Sequence, residues 1–185
     1  MKRLTEAVPA VEQKLALRGK TLNLSKRNLN SDEMEFLISI FMSRPLSPAY
    51  IQSLNLSYNN LGKLLCFFWF PLETLTCLEV NDNRLSFLPT SMRCLKGLQE
   101  LDLRNNQLKK LDVVRELPKL KKLSVEGNPL SLEEIRSLFK HVDTTTRKII
   151  VDIAGSVTCM YGNKSFAYSS TMLFWSKDCV PLVLC

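Results

Sequence analysis

One sequence pattern occurs four times between residues 51 and 130 and constrains the fold more than any other feature of the chain. In each copy apolar residues stand at the first, fourth, sixth and eleventh positions, and an asparagine stands at the ninth. The copies span residues 51–61, 75–85, 98–108 and 120–130, so their starts are 24, 23 and 22 residues apart. A fixed pattern at such a period indicates stacked repeats, because one unit alone cannot bury its apolar side.

The chemistry of the pattern explains its form. Leu54 and Leu56 alternate with Asn55, which predicts a short strand with two side chains pointing inward and one pointing outward. The asparagine follows where the strand ends in a tight bend, and its short amide can bond backbone groups that the bend leaves unpaired. We therefore expect a structural ladder, with no catalytic role, from four side chains: Asn59, Asn83, Asn106 and Asn128.

The repeated pattern resembles that of the leucine-rich repeat family over about residues 17–142. The resemblance implies an α/β solenoid with a curved parallel sheet on its concave face and short helical or 3₁₀ returns on its convex face. A fifth, degenerate copy precedes the others, with Leu22, Leu24 and Leu29 at apolar positions and Arg27 where asparagine is expected. The predicted organisation is an N-terminal cap over 1–18, a solenoid of about five repeats with a capping helix over 19–142, and a C-terminal extension over 143–185 outside the repeats.

Local signals refine this organisation. Apolar residues at three-residue steps after Leu85 and Leu108 predict short helical or 3₁₀ returns. The run 31–33 (Ser-Asp-Glu) predicts the start of a longer helix in the first repeat, and Ser131 with the acidic residues after it predicts the capping helix. The apolar run 66–70 fits either core or a convex patch, and residues 147–154 predict one more strand.

Composition restricts the partners and the compartment. The net charge of +7 is spread along the chain, with local concentration only at Lys109, Lys110, Lys119, Lys121 and Lys122, so we do not expect nucleic acid as the main partner. No segment has about 18 uninterrupted apolar residues, so no membrane span is expected. The six cysteines lack the two-residue metal spacing, which favours reduced thiols in an intracellular protein, cytoplasmic with a nuclear location also open.

The residues for catalysis are scarce. His141 is the single histidine, which excludes a histidine metal cluster and leaves one possible base for any serine or cysteine nucleophile. The six glycines are too dispersed for a phosphate-binding loop. The sequence therefore predicts no catalytic residue, metal, cofactor or small-molecule substrate.

The outward-facing strand positions predict a protein-binding surface instead. Four carboxylates, on Glu79, Asp82, Glu100 and Asp102, converge at its centre and favour a docking site for a basic or mixed segment, with Tyr58 as an aromatic anchor. The alternative is that these charges only solvate an exposed strand. The predicted partner-binding residues are Asn55, Tyr58, Glu79, Asn81, Asp82, Glu100, Asp102, Arg104 and Lys122.

The predicted function is therefore a non-catalytic scaffold or adaptor that binds a protein partner on the concave face. Two alternatives stay open. One is a component of a ribonucleoprotein particle that binds RNA or an RNA-binding protein, supported only by the lysines named above. The other is a regulatory subunit that positions a phosphatase or a ubiquitin ligase, although no docking motif selects it. The partner's identity is not encoded in the repeat pattern.

Overall fold

The computed structural model describes residues 20–42, 51–64, 74–131, 133–134, 149–153, 156–161 and 164–169. The predicted N-terminal cap (1–18) and the apolar run 66–70 lie outside these ranges. The described strands form one eight-stranded sheet in chain order. They are β1 (Thr21–Asn23), β2 (Ser53–Asn55), β3 (Cys77–Glu79), β4 (Glu100–Asp102), β5 (Lys122–Ser124), β6 (Ile149–Ile153), β7 (Ser156–Tyr161) and β8 (Lys164–Ser169).

The first six strands are parallel and pair without any shift of register. Leu22 of β1 stands beside Leu54 of β2, and the row continues through Leu78, Leu101 and Leu123. These leucines are almost fully buried, whereas the residues on either side of them are at least partly exposed in β1 to β4. The alternation predicted from the repeat pattern is thus confirmed, and the degenerate first copy forms β1 in register with the others.

The sheet continues beyond the last repeat. β6 pairs in parallel with β5, with Val151 beside Leu123, which confirms the strand predicted over 147–154. β7 and β8 then add in antiparallel fashion. The assignment of 143–185 to an extension outside the repeats stays a prediction.

The returns on the opposite side of the sheet are mostly short 3₁₀ helices, as predicted. The first spans Thr90–Cys94 and the second spans Asp112–Glu116, and each contributes buried residues to the core: Met92 from the first, and Val113 and Val114 from the second. Because a 3₁₀ helix places residues three apart on one side, a return of only five residues can direct its apolar side chains into the core.

The first repeat returns through a longer helix, α1 (Ser31–Met42). Its N-terminus is capped by Asn30 rather than by Ser31. The Glu33 N–H donates to Asn30 Oδ1, and the Asn30 N–H donates to the Glu33 carboxylate, which forms a capping box. Ser31 is buried and joins α1 to the second repeat, because its Oγ donates to the Lys63 carbonyl and accepts from the N–H groups of Gly62 and Lys63.

The four pattern asparagines form the predicted ladder. Asn83 Nδ2 donates to the carbonyls of Val80 and Asn81 in its own repeat and to that of Leu56 in the preceding repeat, while its Oδ1 accepts from the Leu61 N–H. Asn59, Asn106 and Asn128 repeat the arrangement, each reaching a carbonyl one repeat earlier. The asparagines therefore join neighbouring repeats as well as closing their own bends, which confirms their structural role.

Candidate functional site

The site lies on the concave face, the face of the sheet that carries the side chains flanking the buried leucine row. Three columns of side chains run across it. The first contains Thr21, Ser53, Cys77, Glu100 and Lys122, and the second contains Asn23, Asn55, Glu79, Asp102 and Ser124, as the strand register dictates. The third follows the strands and contains Ser25, Ser57, Asn81, Arg104 and Glu126.

A bend of left-handed backbone borders this face. The residue before each pattern asparagine has a positive φ: 55° at Tyr58, 53° at Asp82, 53° at Asn105 and 70° at Gly127. The bend is fixed by a backbone ladder, in which the Tyr58 N–H donates to the Asn81 carbonyl and the Asp82 N–H donates to the Arg104 carbonyl. The backbone that carries the side chains at the ends of the strands is therefore already held by hydrogen bonds before any partner binds.

A cavity of about 320 Å³ opens on the concave face across β3, β4 and β5. Three carboxylates, two cationic groups, a thiol and a hydroxyl line it together with two leucines. The lining residues are Cys77, Leu78, Glu79, Glu100, Leu101, Asp102, Arg104, Lys122 and Ser124. Five of the nine residues predicted for partner binding thus meet in one cavity, and their role in binding stays a prediction.

The charges in the cavity differ in how far they are already paired. Asp102 accepts hydrogen bonds from three donors of Arg104, the backbone N–H, Nε and Nη2, the last at 2.6 Å, so its charge is largely compensated. Glu79 Oε2 accepts a hydrogen bond of 2.6 Å from Asn55 Nδ2. The exposed Glu100 and Lys122 side chains make no hydrogen bond or ion pair with any residue that the structure describes.

The remaining predicted residues lie around the cavity. Asp82 does not line it; this carboxylate accepts from Asn81 Nδ2 at 2.7 Å and from Asn105 Nδ2 at 2.9 Å on the bend. Asn81 itself is buried. Tyr58 is 52% exposed, and its ring faces Lys26 Nζ, which lies 5.2 Å from the ring centroid. The acidic centre expected from sequence therefore reduces in the cavity to Glu79, Glu100 and Asp102.

Two polar side chains of the cavity, those of Cys77 and Ser124, are not among the residues predicted for partner binding. Cys77 is half-buried in the first column, and burial, followed by the charges of Glu79 and Glu100, raises the pKa of its thiol above the usual 9.0. Ser124 is only 5% exposed. The signal that could have found both is the strand register, which places Cys77 beside Glu100 and Ser124 beside Asp102.

Within the described ranges, the His, Cys, Asp and Glu side chains form no group of three or more that could hold a metal ion. A search of the same residues found no helix with the length and apolar character needed to cross a membrane.

Comparison with known proteins agrees with the fold. Leucine-rich repeat family models match residues 50–70 and 73–130. A solved leucine-rich repeat protein of Leptospira interrogans is 30% identical with a TM-score of 0.51, covering 58% of this chain and 26% of that one. Together with the sheet register and the asparagine ladder, these matches identify residues 50–70 and 73–130 as leucine-rich repeats in an α/β solenoid.

The curated relatives are longer proteins. An adenylate cyclase of Neurospora crassa is 38% identical over 82 residues, which is 44% of this chain and 4% of that protein. Tsukushi of Gallus gallus is 27% identical over 132 residues, which is 71% of this chain and 34% of that protein. The chain thus spans a minor part of each relative, and the cyclase match is the size of a repeat segment. Leucine-rich repeats generally mediate protein–protein interaction and are typically non-catalytic.

Proposed function

We propose that this chain is a non-catalytic scaffold that binds a protein partner on its concave face, over β2 to β5. The observation that carries the proposal is the cavity across β3 to β5, in which charged side chains from three successive repeats meet. The family's general use of such faces for binding proteins supports it.

The rigidity of the face favours this function. Each strand is held to its neighbour by backbone bonds, and the bends are fixed by the asparagine ladder and by a second backbone ladder. A surface that is ordered before binding loses little conformational entropy when a partner docks, so more of the contact energy appears as affinity. Exposed Tyr58 supplies the kind of rigid aromatic side chain that often dominates interface energy.

The charge pattern favours a protein over RNA. Of the five lysines that could contact phosphates, Lys122 lies in the cavity with three carboxylates, and Lys121 Nζ donates to Gln99 Oε1 at 2.9 Å. Carboxylates at the centre of the face would repel a nucleic-acid backbone. We also propose an intracellular location, in the cytoplasm or the nucleus, because Cys77 and Cys94 are free thiols of the kind that a reducing compartment preserves.

The test is affinity capture from cell lysate with mass-spectrometric identification, using the full chain and a variant carrying Tyr58→Asn and Glu100→Lys. Both side chains are exposed, and asparagine suits the positive φ at residue 58 because Asn105 occupies the equivalent bend. A matched control carries Glu35→Lys on α1, which is exposed on the return side. We expect a protein partner that the double variant loses and the control retains. Equal capture by both variants would contradict the concave-face assignment.

A further inference from the structure

The cavity has a feature that its acidic residues alone do not provide. Ser124 is 95% buried, being 5% exposed, and it lines the cavity from the second column. Its side chain makes no hydrogen bond with any residue that the structure describes. Its Oγ is therefore able to exchange a hydrogen bond with a ligand atom that enters the cavity.

The groups in the cavity that are available for further hydrogen bonds are mainly carboxylate oxygens, which accept, so they favour a ligand group that donates. Glu100 has no described partner, and Glu79 uses one of its oxygens for Asn55. On the cationic side, Arg104 is committed to Asp102, which leaves Lys122 as the cation without a described partner. With three carboxylates against two cations, the lining carries a net negative charge. A cationic ligand group would compensate this excess, whereas an anionic group would add to it.

Resting on the proposed function, we propose that the partner inserts one arginine or lysine side chain into this cavity, where Glu100 and Glu79 accept its N–H groups and Ser124 Oγ accepts another. The volume of about 320 Å³ is sufficient for one long side chain with part of its backbone. Arginine fits better than lysine, because its planar group offers five donors in a fixed fork that can reach two carboxylates at once.

Lys122 would also contribute to recognition of the partner. It lies beside Glu100 in the strand register but forms no ion pair with it. An entering cation would pair with the Glu100 carboxylate. The Lys122 ammonium would then face the partner's backbone carbonyl or a neighbouring carboxylate. The cavity therefore selects a basic side chain next to an acceptor, rather than a uniformly basic segment.

The test is a titration of the ¹⁵N-labelled full chain with N-acetyl-arginine methylamide, followed by amide chemical shifts. We expect saturable shifts at Glu79, Glu100 and Ser124, with a dissociation constant in the millimolar range, as suits a single side chain. Glu100→Gln should weaken binding about tenfold, because it removes a charge-assisted hydrogen bond. Ser124→Ala should weaken it about threefold, the effect of one neutral hydrogen bond.

Three comparisons make the result decisive. Glu126→Gln removes a nearby charge that does not line the cavity, so it should leave the titration unchanged. N-acetyl-glutamate methylamide should produce no saturable shift in the cavity. Absence of saturation by the arginine probe, equal binding by Glu100→Gln, or preferential binding of the glutamate probe would each overturn the inference.

If a captured partner is lost with Tyr58→Asn but retained by Glu100→Gln, the concave face binds protein and only the side-chain inference falls. If the arginine probe binds while concave variants retain every captured protein, the cavity accepts a cation and the proposed docking face is wrong.

Discussion

Asn83 Nδ2 lies 3.0 Å from the carbonyl oxygen of Leu56, one repeat earlier, so one amide joins two turns of the solenoid. The same nitrogen also donates to the Val80 carbonyl, and Oδ1 accepts from the Leu61 N–H. This buried amide is the acceptor for the Leu61 N–H, and it shares the Leu56 carbonyl with Asn59 and the Val80 carbonyl with Asn106. The asparagines therefore determine how closely repeats stack, and through this the spacing of the concave columns.

Replacing this amide should destabilise the whole array. Asn83→Ala leaves the Leu61 N–H without its partner and removes one of the donors to the Leu56, Val80 and Asn81 carbonyls. We expect a loss of about 1–3 kcal/mol in the free energy of unfolding, the cost of one unsatisfied buried group. Urea denaturation followed by circular dichroism measures it. Gln107→Ala is the control, because its exposed side chain follows the next pattern asparagine and should change stability by less than about 0.5 kcal/mol. Equal effects would contradict the ladder's role.

Gly127 should resist substitution for two reasons. Its φ is +70°, and a Cβ there would collide with Asn105 Oδ1. We expect Gly127→Ala to destabilise the fold by about 1–3 kcal/mol through backbone strain and displacement of the Asn105 side chain. Adding Asn105→Gly should recover part of this loss, which a double-mutant cycle measures. Gly62→Ala is the control, since its Cβ would meet nothing within 4 Å; a similar loss there would refute the steric explanation.

The buried Ser31 hydroxyl should hold α1 to the second repeat. Ser31→Ala removes three hydrogen bonds with the backbone of Gly62 and Lys63, and we expect a loss of about 1–3 kcal/mol. Hydrogen exchange should become faster at the Gly62 and Lys63 amides. Exposed Ser86→Ala should have neither effect. Unchanged exchange in the Ser31 variant would show that packing alone positions the helix.

Glu134 should hold the predicted capping helix against the last repeats. Its Oε1 accepts from the Leu111 N–H at 2.8 Å and from Arg115 Nη2 at 3.1 Å, and Ser131 Oγ caps its own N–H. Glu134→Ala should reduce the free energy of unfolding by about 1–3 kcal/mol, because the backbone and guanidinium donors lose a partly buried acceptor. Exposed Glu133→Ala is the matched control, and thermal unfolding compares them. Identical midpoints would exclude this role.

The Cys77 thiol should react slowly. Burial and the charges of Glu79 and Glu100 raise its pKa, so at a given pH less of it is the reactive thiolate. Alkylation by iodoacetamide at pH 8, quantified on the Cys77 peptide, should be slower than in the denatured chain, and Glu100→Gln should accelerate it. Since the pKa is raised in the folded state, the associated stability is present below the unfolded value and is lost as pH rises above about 9. Faster alkylation in the folded chain would contradict this account.

Much of the fold was predictable because the repeat pattern encodes it directly. In a single copy of the pattern, Leu54 indicates the inward-facing side of the strand and Asn59 indicates the bend that follows it. Repetition of the pattern gives the strand register, which places Glu79 beside Asp102. The site was harder to predict. Asp82 and Asp102 look alike in sequence, yet one lies on the bend with amide partners and the other is neutralised by Arg104 in the cavity.

Side-chain pairing explains that difference. The direction of a strand residue follows from alternation, but whether a carboxylate is already satisfied depends on which neighbour reaches it. Burial of Ser124 in the second column likewise depends on what packs around it, which the pattern of its own repeat does not encode. Column membership can thus be read from spacing, whereas the availability of each charge requires the structure.

The most direct test of a concave docking face is site-specific photo-crosslinking in cells. A benzoylphenylalanine at position 55, on β2 beside Glu79, is compared with one at exposed position 96 on the return side. We predict that position 55 forms a covalent adduct with a partner protein, that position 96 does not, and that adding Glu100→Lys removes the adduct. An adduct from position 96 alone, or one from position 55 that persists with Glu100→Lys, would contradict the docking site proposed here.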